Sequence, residues 1–284
     1  MAETSESARG PGPRGQARDA ATPATIAGHS ALEGLLTFGL LFGVITVVRW
    51  VVGPSPVSDA MPARGMQLHV QLLIIGACFV PILAGLILSK PGKISGGHMN
   101  PAISFAMWRL GVLPGASVVP YIVAQLAGSV LGVLAGRALW GPVVEGPPVS
   151  YSVLQPGPGM SAGLVFAGEA VSMGVIIYLI GFFLQTPRLA RLVPWLAGLL
   201  IGAAIASLGA VTGASEDPAR QFGPAVISGQ LSFLWIYLLA PMVGAAAAAG
   251  VLNLVPRGRT VLTHRLCGTN HDGSPLKVVT DNSG

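Results

Sequence analysis

The sequence predicts an all-α membrane protein with six transmembrane helices and two re-entrant half-helices, arranged as an inverted repeat. Three observations carry this. Apolar types make up 52% of the 284 residues and charged types only 10%, with a mean hydropathy of +0.68; soluble domains carry roughly 25% charged residues. Six long apolar runs, at about 31–52, 69–89, 115–139, 163–185, 193–211 and 232–255, are separated by more polar loops. Each is close to the roughly 20 residues that one bilayer crossing needs. Two shorter half-apolar segments, at about 101–110 and 218–229, open on the same motif, and a short apolar segment at membrane depth is read as re-entrant. The 39 glycines suit helices that pack closely within a membrane.

Taken in order, residues 1–29 are rich in Ala, Gly, Pro, Arg and Ser and are expected to form a flexible cytoplasmic tail. They lack the short basic region and apolar core of a secretory signal. A membrane domain follows over 30–255, with halves at about 30–139 and 163–255, joined by a Pro- and Gly-rich loop. Residues 256–284 are polar and are expected to be a second flexible cytoplasmic tail. With both termini placed inside, the inner face collects Arg9, Arg14, Arg18, Lys90, Lys93, Arg109, Arg188, Arg191, Arg257, Arg259, Arg265 and Lys277. The outer side keeps Arg49, Arg64, Arg137 and Arg220. That asymmetry orients both termini to the cytoplasm of a cell-membrane protein.

The net charge of +5 does not imply nucleic acid as a partner, because the basic residues end apolar segments instead of forming one stripe. Membrane lipid is the expected neighbour. Cys78 lies in an apolar run and Cys267 in the polar tail, so no disulfide between them is expected, and no metal-ligand spacing occurs. No nucleophile–base pair or phosphate loop is present either. Neither an enzyme nor a cofactor is expected.

The two short segments are copies of one pattern. Ser95-Gly96-Gly97-His98-Met99-Asn100-Pro101-Ala102-Ile103-Ser104-Phe105 matches Thr212-Gly213-Ala214-Ser215-Glu216-Asp217-Pro218-Ala219-Arg220-Gln221-Phe222. Further on, Tyr121, Ala124, Gln125 and Gly128 parallel Tyr237, Ala240, Pro241 and Gly244, and Glu33 and Glu169 sit near the start of each half. Three spans plus one half-helix, repeated, must have opposite topology in the two copies. Asn or Asp followed by Pro starts a helix: the polar side chain caps it and Pro takes the first position, where its missing N–H costs nothing. The half-helices therefore begin at Asn100 and Asp217, with Pro101, Ala102, Pro218 and Ala219 in their first turns. Inverted symmetry brings both positive dipole ends to one point near the midplane. Gly96, Gly97 and Gly213, with His98 and Ser215, form unwound approach strands whose carbonyls can line a lumen. Such a track replaces the hydrogen bonds of a small neutral molecule but not the hydration shell of a cation. Glu33 and Glu169 are expected to hold loop backbone, since ionisable groups within spans are paired. His98 is expected to be a structural hydrogen-bonding residue, with a titrating role as the alternative.

These boxes resemble those of the aquaporin, or major intrinsic protein, family, over about residues 30–255. SGGHMNPAISF is similar to that family's first Asn-Pro-Ala box and TGASEDPARQFGPAV to its second; Glu33, Glu169 and Gln125 also fit. The resemblance implies an aquaporin-like fold, a pore in each subunit and a homotetramer. Its outer constriction falls on Arg220, Ala214, Ile205 and either Phe79 or Val80. Ile205 stands where water-selective members usually have His, and Ala214 leaves space. The implied function is passive conduction of water and small uncharged solutes, glycerol-like polyols included. The departure is Asp217, where the family usually has Asn: Asp caps equally well but has no amide N–H to donate. Arg220 could hold it. Two alternatives stand beside this reading: an ion-permeable channel using Asp217 and Glu216, and a closed-pore structural or regulatory protein.

Overall fold

The computed structural model describes residues 22–60, 64–254, 260–270 and 273–276. Its long elements are α1 (Pro23–Val51), α2 (Arg64–Leu88), α3 (Pro101–Arg109), α4 (Gly115–Trp140), α5 (Ala162–Leu184), α6 (Val193–Leu208), α7 (Pro218–Ser228) and α8 (Leu234–Leu254). α3 and α7 are the two half-helices. Among the described residues five helices are long and apolar enough to cross a membrane, and α6, at 16 residues, is shorter.

Helix α1 starts earlier than its apolar run. Thr22 caps it, its hydroxyl accepting the Thr25 N–H at 3.2 Å, and Pro23 takes the first position. Residues 23–29, expected in the tail, are therefore helical; residues 1–21 lie outside the described residues. So do Arg257, Arg259 and Lys277 of the second expected tail.

Helices α1 and α4 cross so closely that a Cβ on Gly128 would lie 2.1 Å from the Gly34 carbonyl oxygen. The repeat-related crossing of α5 and α8 is as tight: a Cβ on Gly244 would lie 2.0 Å from the Ala170 carbonyl oxygen. Only glycine permits either approach. Around this interior the bundle turns apolar side chains outward, Val119 at 67% exposed and Val171 at 66% among them, as a lipid-facing surface requires. Trp108, Trp195 and Trp235 are also exposed. Trp140 differs: it turns inward, edge-on to Trp50, and donates to Thr46 Oγ1 at 3.0 Å.

Residues 260–270 correct the expectation of a flexible second tail. They fold back against the end of the bundle that carries Lys93 and Arg188, where the Leu262 N–H donates to the Leu184 carbonyl (3.1 Å) and the Leu266 N–H to the Gly96 carbonyl (3.0 Å). Val261, Leu266 and Cys267 are buried there. Average composition marks this stretch as polar, but its few apolar residues are placed to seal against the bundle.

Candidate functional site

The half-helices are capped as the Asn/Asp-Pro pattern requires. Asn100 Oδ1 accepts the N–H groups of Ala102 (2.8 Å) and Ile103 (3.4 Å). Asp217 Oδ1 accepts that of Ala219 (2.8 Å). Pro101 and Pro218 open their helices. The starts meet: Asn100 Nδ2 donates to the carbonyl of Glu216, the residue before Asp217, at 3.0 Å. Two N-terminal helix ends thus converge on one buried point, concentrating partial positive charge there.

Each approach strand is held open by a glutamate. Glu33 Oε1 accepts from Ser95 Oγ (2.6 Å) and the His98 N–H (3.1 Å); Oε2 accepts from the Met99 N–H (2.7 Å) and Gln125 Nε2 (3.0 Å). Glu169 accepts the N–H groups of Ser215 (3.1 Å) and Glu216 (2.8 Å). Tyr121 and Tyr237 complete the symmetry, donating to the Ser95 and Thr212 carbonyls. These anchors hold backbone in left-handed conformations, including the non-glycine residues Met99 (φ 53°), Ala214 (φ 53°) and Glu216 (φ 47°). Such conformations cost on the order of 1–3 kcal/mol each and persist only when surroundings impose them. Gln125 also donates to Ser104 Oγ (3.0 Å), whereas its repeat counterpart Pro241 has no side-chain donor.

On the far side from Lys93 and Arg188, a cavity of about 140 Å³ opens over the second strand, lined in part by Phe79, Ile205, Ala214, Ser215 and Arg220. Of the two α2 candidates, Phe79 lines this cavity, beside Leu72 and Ile75 of the same helix; Val80 instead packs against α6, its carbonyl 2.8 Å from where a Cβ on Gly198 would lie. Neighbouring helix positions point about 100° apart, so both could not face one lumen. Arg220 does not hold Asp217 through its guanidinium. Its Nη1 donates to the Ser152 carbonyl at 2.9 Å. Ser150, Tyr151 and Ser152 form a left-handed run (φ 43°, 55° and 62°) that presents this carbonyl. The same loop is tied down by Gln221, whose amide both accepts from the Leu154 N–H (2.9 Å) and donates to its carbonyl (3.0 Å).

The Glu216 carboxylate is fully buried and accepts from Ser172 Oγ of α5 (2.9 Å), away from that cavity. His98 lies at the opposite end, its Nε2 donating to the His264 carbonyl (2.9 Å) and its Nδ1 3.1 Å from Ser104 Oγ. Among the described residues no group of three His, Cys, Asp or Glu is placed to hold a metal ion. Sequence reasoning missed Ser152, Ser172 and residues 264–266. Ser152 acts through its carbonyl, which any residue type carries, so no side-chain signal existed.

Residues 28–252 match the family described as Major intrinsic protein. Probable aquaporin AqpM of Archaeoglobus fulgidus is 37% identical over 192 residues, 64% of this chain and 76% of that protein. Nodulin-26 of Glycine max is 36% identical over 189 residues, 62% of this chain and 65% of that protein. Aquaporin NIP3-1 of Oryza sativa subsp. japonica is 34% identical over 183 residues; the match spans 63% of this chain and 56% of that protein. In fold, the X-ray structure of the aquaglyceroporin from Plasmodium falciparum matches with a TM-score of 0.64 at 18% identity, over 82% of this chain and 98% of that one.

Proposed function

The chain belongs to the major intrinsic protein family, and from that premise we propose that the meeting half-helices form the centre of a pore through each subunit. It is a membrane channel for water and small solutes and not an enzyme. The observation that supports a pore centred here is the Asn100 Nδ2 bond to the Glu216 carbonyl, which brings both positive helix ends together. A neutral solute passing this point exchanges water's hydrogen bonds for fixed backbone ones. A cation loses its hydration shell and meets the two positive helix ends, whose repulsion the Asp217 carboxylate at the second start weakens.

The outer constriction of this reading comprises Phe79, Ile205, Ala214 and Arg220. Three of its faces are apolar and the fourth is a guanidinium held in place by the Ser152 carbonyl. A polyol suits that combination, with hydroxyls toward Arg220 and C–H edges toward Phe79 and Ile205. Relatives named as aquaporins and a fold neighbour named as an aquaglyceroporin support water with small polyols as the solute class. A homotetramer in the cell membrane, termini in the cytoplasm, completes the proposal on family resemblance and the Lys/Arg asymmetry.

The test is osmotic swelling of proteoliposomes in water and glycerol gradients. Ile205→His with Ala214→Phe should reduce glycerol flux more than water flux. Equal loss of both in a folded protein would remove these residues from the constriction.

A further inference from the structure

We propose that residues 260–270 plug the pore mouth on the face carrying Lys93 and Arg188, so that the channel as folded is closed on that side. The proposal rests on the pore reading above.

The repeat gives the pore two equivalent approach strands, yet they are treated differently. Gly213, Ala214 and Ser215 line the outer cavity. Their counterparts are Gly96, Gly97 and His98. There the Gly96 carbonyl, an acceptor a passing solute would use, is taken by the Leu266 N–H at 3.0 Å. His98 Nε2 is committed to the His264 carbonyl at 2.9 Å, and the two imidazoles stand edge to face, centroids 5.6 Å apart. A Cβ on Gly96 would lie 2.8 Å from His264 Nδ1, so the segment lies directly against the strand.

The same segment reaches two further walls. The Leu262 N–H donates to the Leu184 carbonyl at the end of α5 (3.1 Å). Gly268 packs on the short turn Pro187–Ala190 that leads into α6, where a Cβ would lie 2.5 Å from the Ala190 carbonyl oxygen. The first approach strand, the end of α5 and the entry to α6 are thus bridged by one piece of chain. Within the segment, Leu266 is 1% exposed and Arg265 4%. Arg265 Nη1 donates to the Asn270 carbonyl (2.8 Å), closing the segment on itself. On the pore reading, hydrogen-bonding groups that the first approach strand would offer to solute are bonded instead to this segment. The seat consists of a few hydrogen bonds and the buried side chains of Val261, Leu266 and Cys267.

Cys267, 5% exposed, reports on the seat. Replacing Cys78 by Ser leaves it as the single thiol. The experiment uses the full chain in proteoliposomes, with and without Leu266→Asp or Gly268→Val, reading water permeability by light scattering and Cys267 reactivity with a maleimide. Slow labelling and low water flux are expected without the seat mutations. Fast labelling and roughly tenfold higher flux are expected with either, equivalent to shifting the closed–open balance by about 1.4 kcal/mol. Faster labelling with unchanged flux would overturn the plug, because the segment would then lie beside the solute path. Fast labelling in the parent, or protection persisting in both variants, would overturn the seat described. Absence of water flux from every form, each with an intact thermal transition, would defeat the pore reading and the plug with it.

Discussion

Asp217 and Asn100 occupy equivalent caps and differ by one amide donor. Each accepts through Oδ1 from its own half-helix, but only Asn100 has an N–H left, which it gives to the Glu216 carbonyl. By the repeat, an amide at position 217 would face the Met99 carbonyl. Asp217→Asn should therefore keep the fold, because both residues cap comparably, and add a donor while removing a carboxylate from the centre. The expected outcome is higher water flux or slower proton leak, measured by osmotic swelling with a pH-sensitive dye in liposomes. Identical flux and leak would make Asp217 a cap and nothing more. Glu33 is a residue of another kind, since its carboxylate accepts from Ser95, His98, Met99 and Gln125 at once. In Glu33→Gln one acceptor oxygen becomes a donor facing other donors, and each buried group left unpaired costs about 1–3 kcal/mol. The melting temperature in detergent should fall clearly. An unchanged value would show that the approach strand stands without its anchor.

Elements meet where side chains are absent. Gly128 and Gly244 set the α1–α4 and α5–α8 crossings at repeat-related points, each within backbone contact of the partner helix. Leucine at either position must separate the helices, and overpacking of this kind costs roughly 1–3 kcal/mol. We expect Gly128→Leu and Gly244→Leu to lower thermal stability alike, while Gly85→Leu, at a glycine with nothing within 4 Å, leaves it unchanged. If the three behave alike, close crossing is not what these glycines serve. At this scale the sequence was legible in proportion to its periodicity. Long apolar runs located six helices, and the Asn/Asp-Pro caps located the two short ones. The early start of α1 escaped because a cap and a Pro at Thr22 and Pro23 are a two-residue signal inside a polar stretch. Residues 260–270 escaped because their seat depends on what they meet, and hydropathy averaged along the chain carries no information about contact.

The whole molecule follows from counting. Two odd-numbered units of three spans and a half-helix have opposite orientation, which was readable from the repeat alone and which brings Asn100 to the residue before Asp217. The repeat could not show where the halves cease to be equivalent: Arg220 held by the Ser152 carbonyl beside one approach strand, and residues 264–266 bonded to the other. Both departures come from segments outside the repeated pattern. The orientation in the membrane is then a charge question. Lys93 and Arg188 are exposed at the end where residues 260–270 sit, and Glu145 lies at the other, paired with Arg137 at 2.9 Å. With Cys78 and Cys267 both replaced by Ser, Lys93→Cys and Arg188→Cys should react with a membrane-impermeant maleimide only when the reagent reaches the cytoplasmic side. Glu145→Cys should react in intact cells. Each is a surface position, and the Arg137–Glu145 pair is solvent-exposed, so losing it should leave stability little changed, and a labelling difference would report topology and not unfolding. Reaction of Lys93→Cys in intact cells would reverse the orientation drawn from the Lys/Arg asymmetry, while leaving the inverted repeat in place.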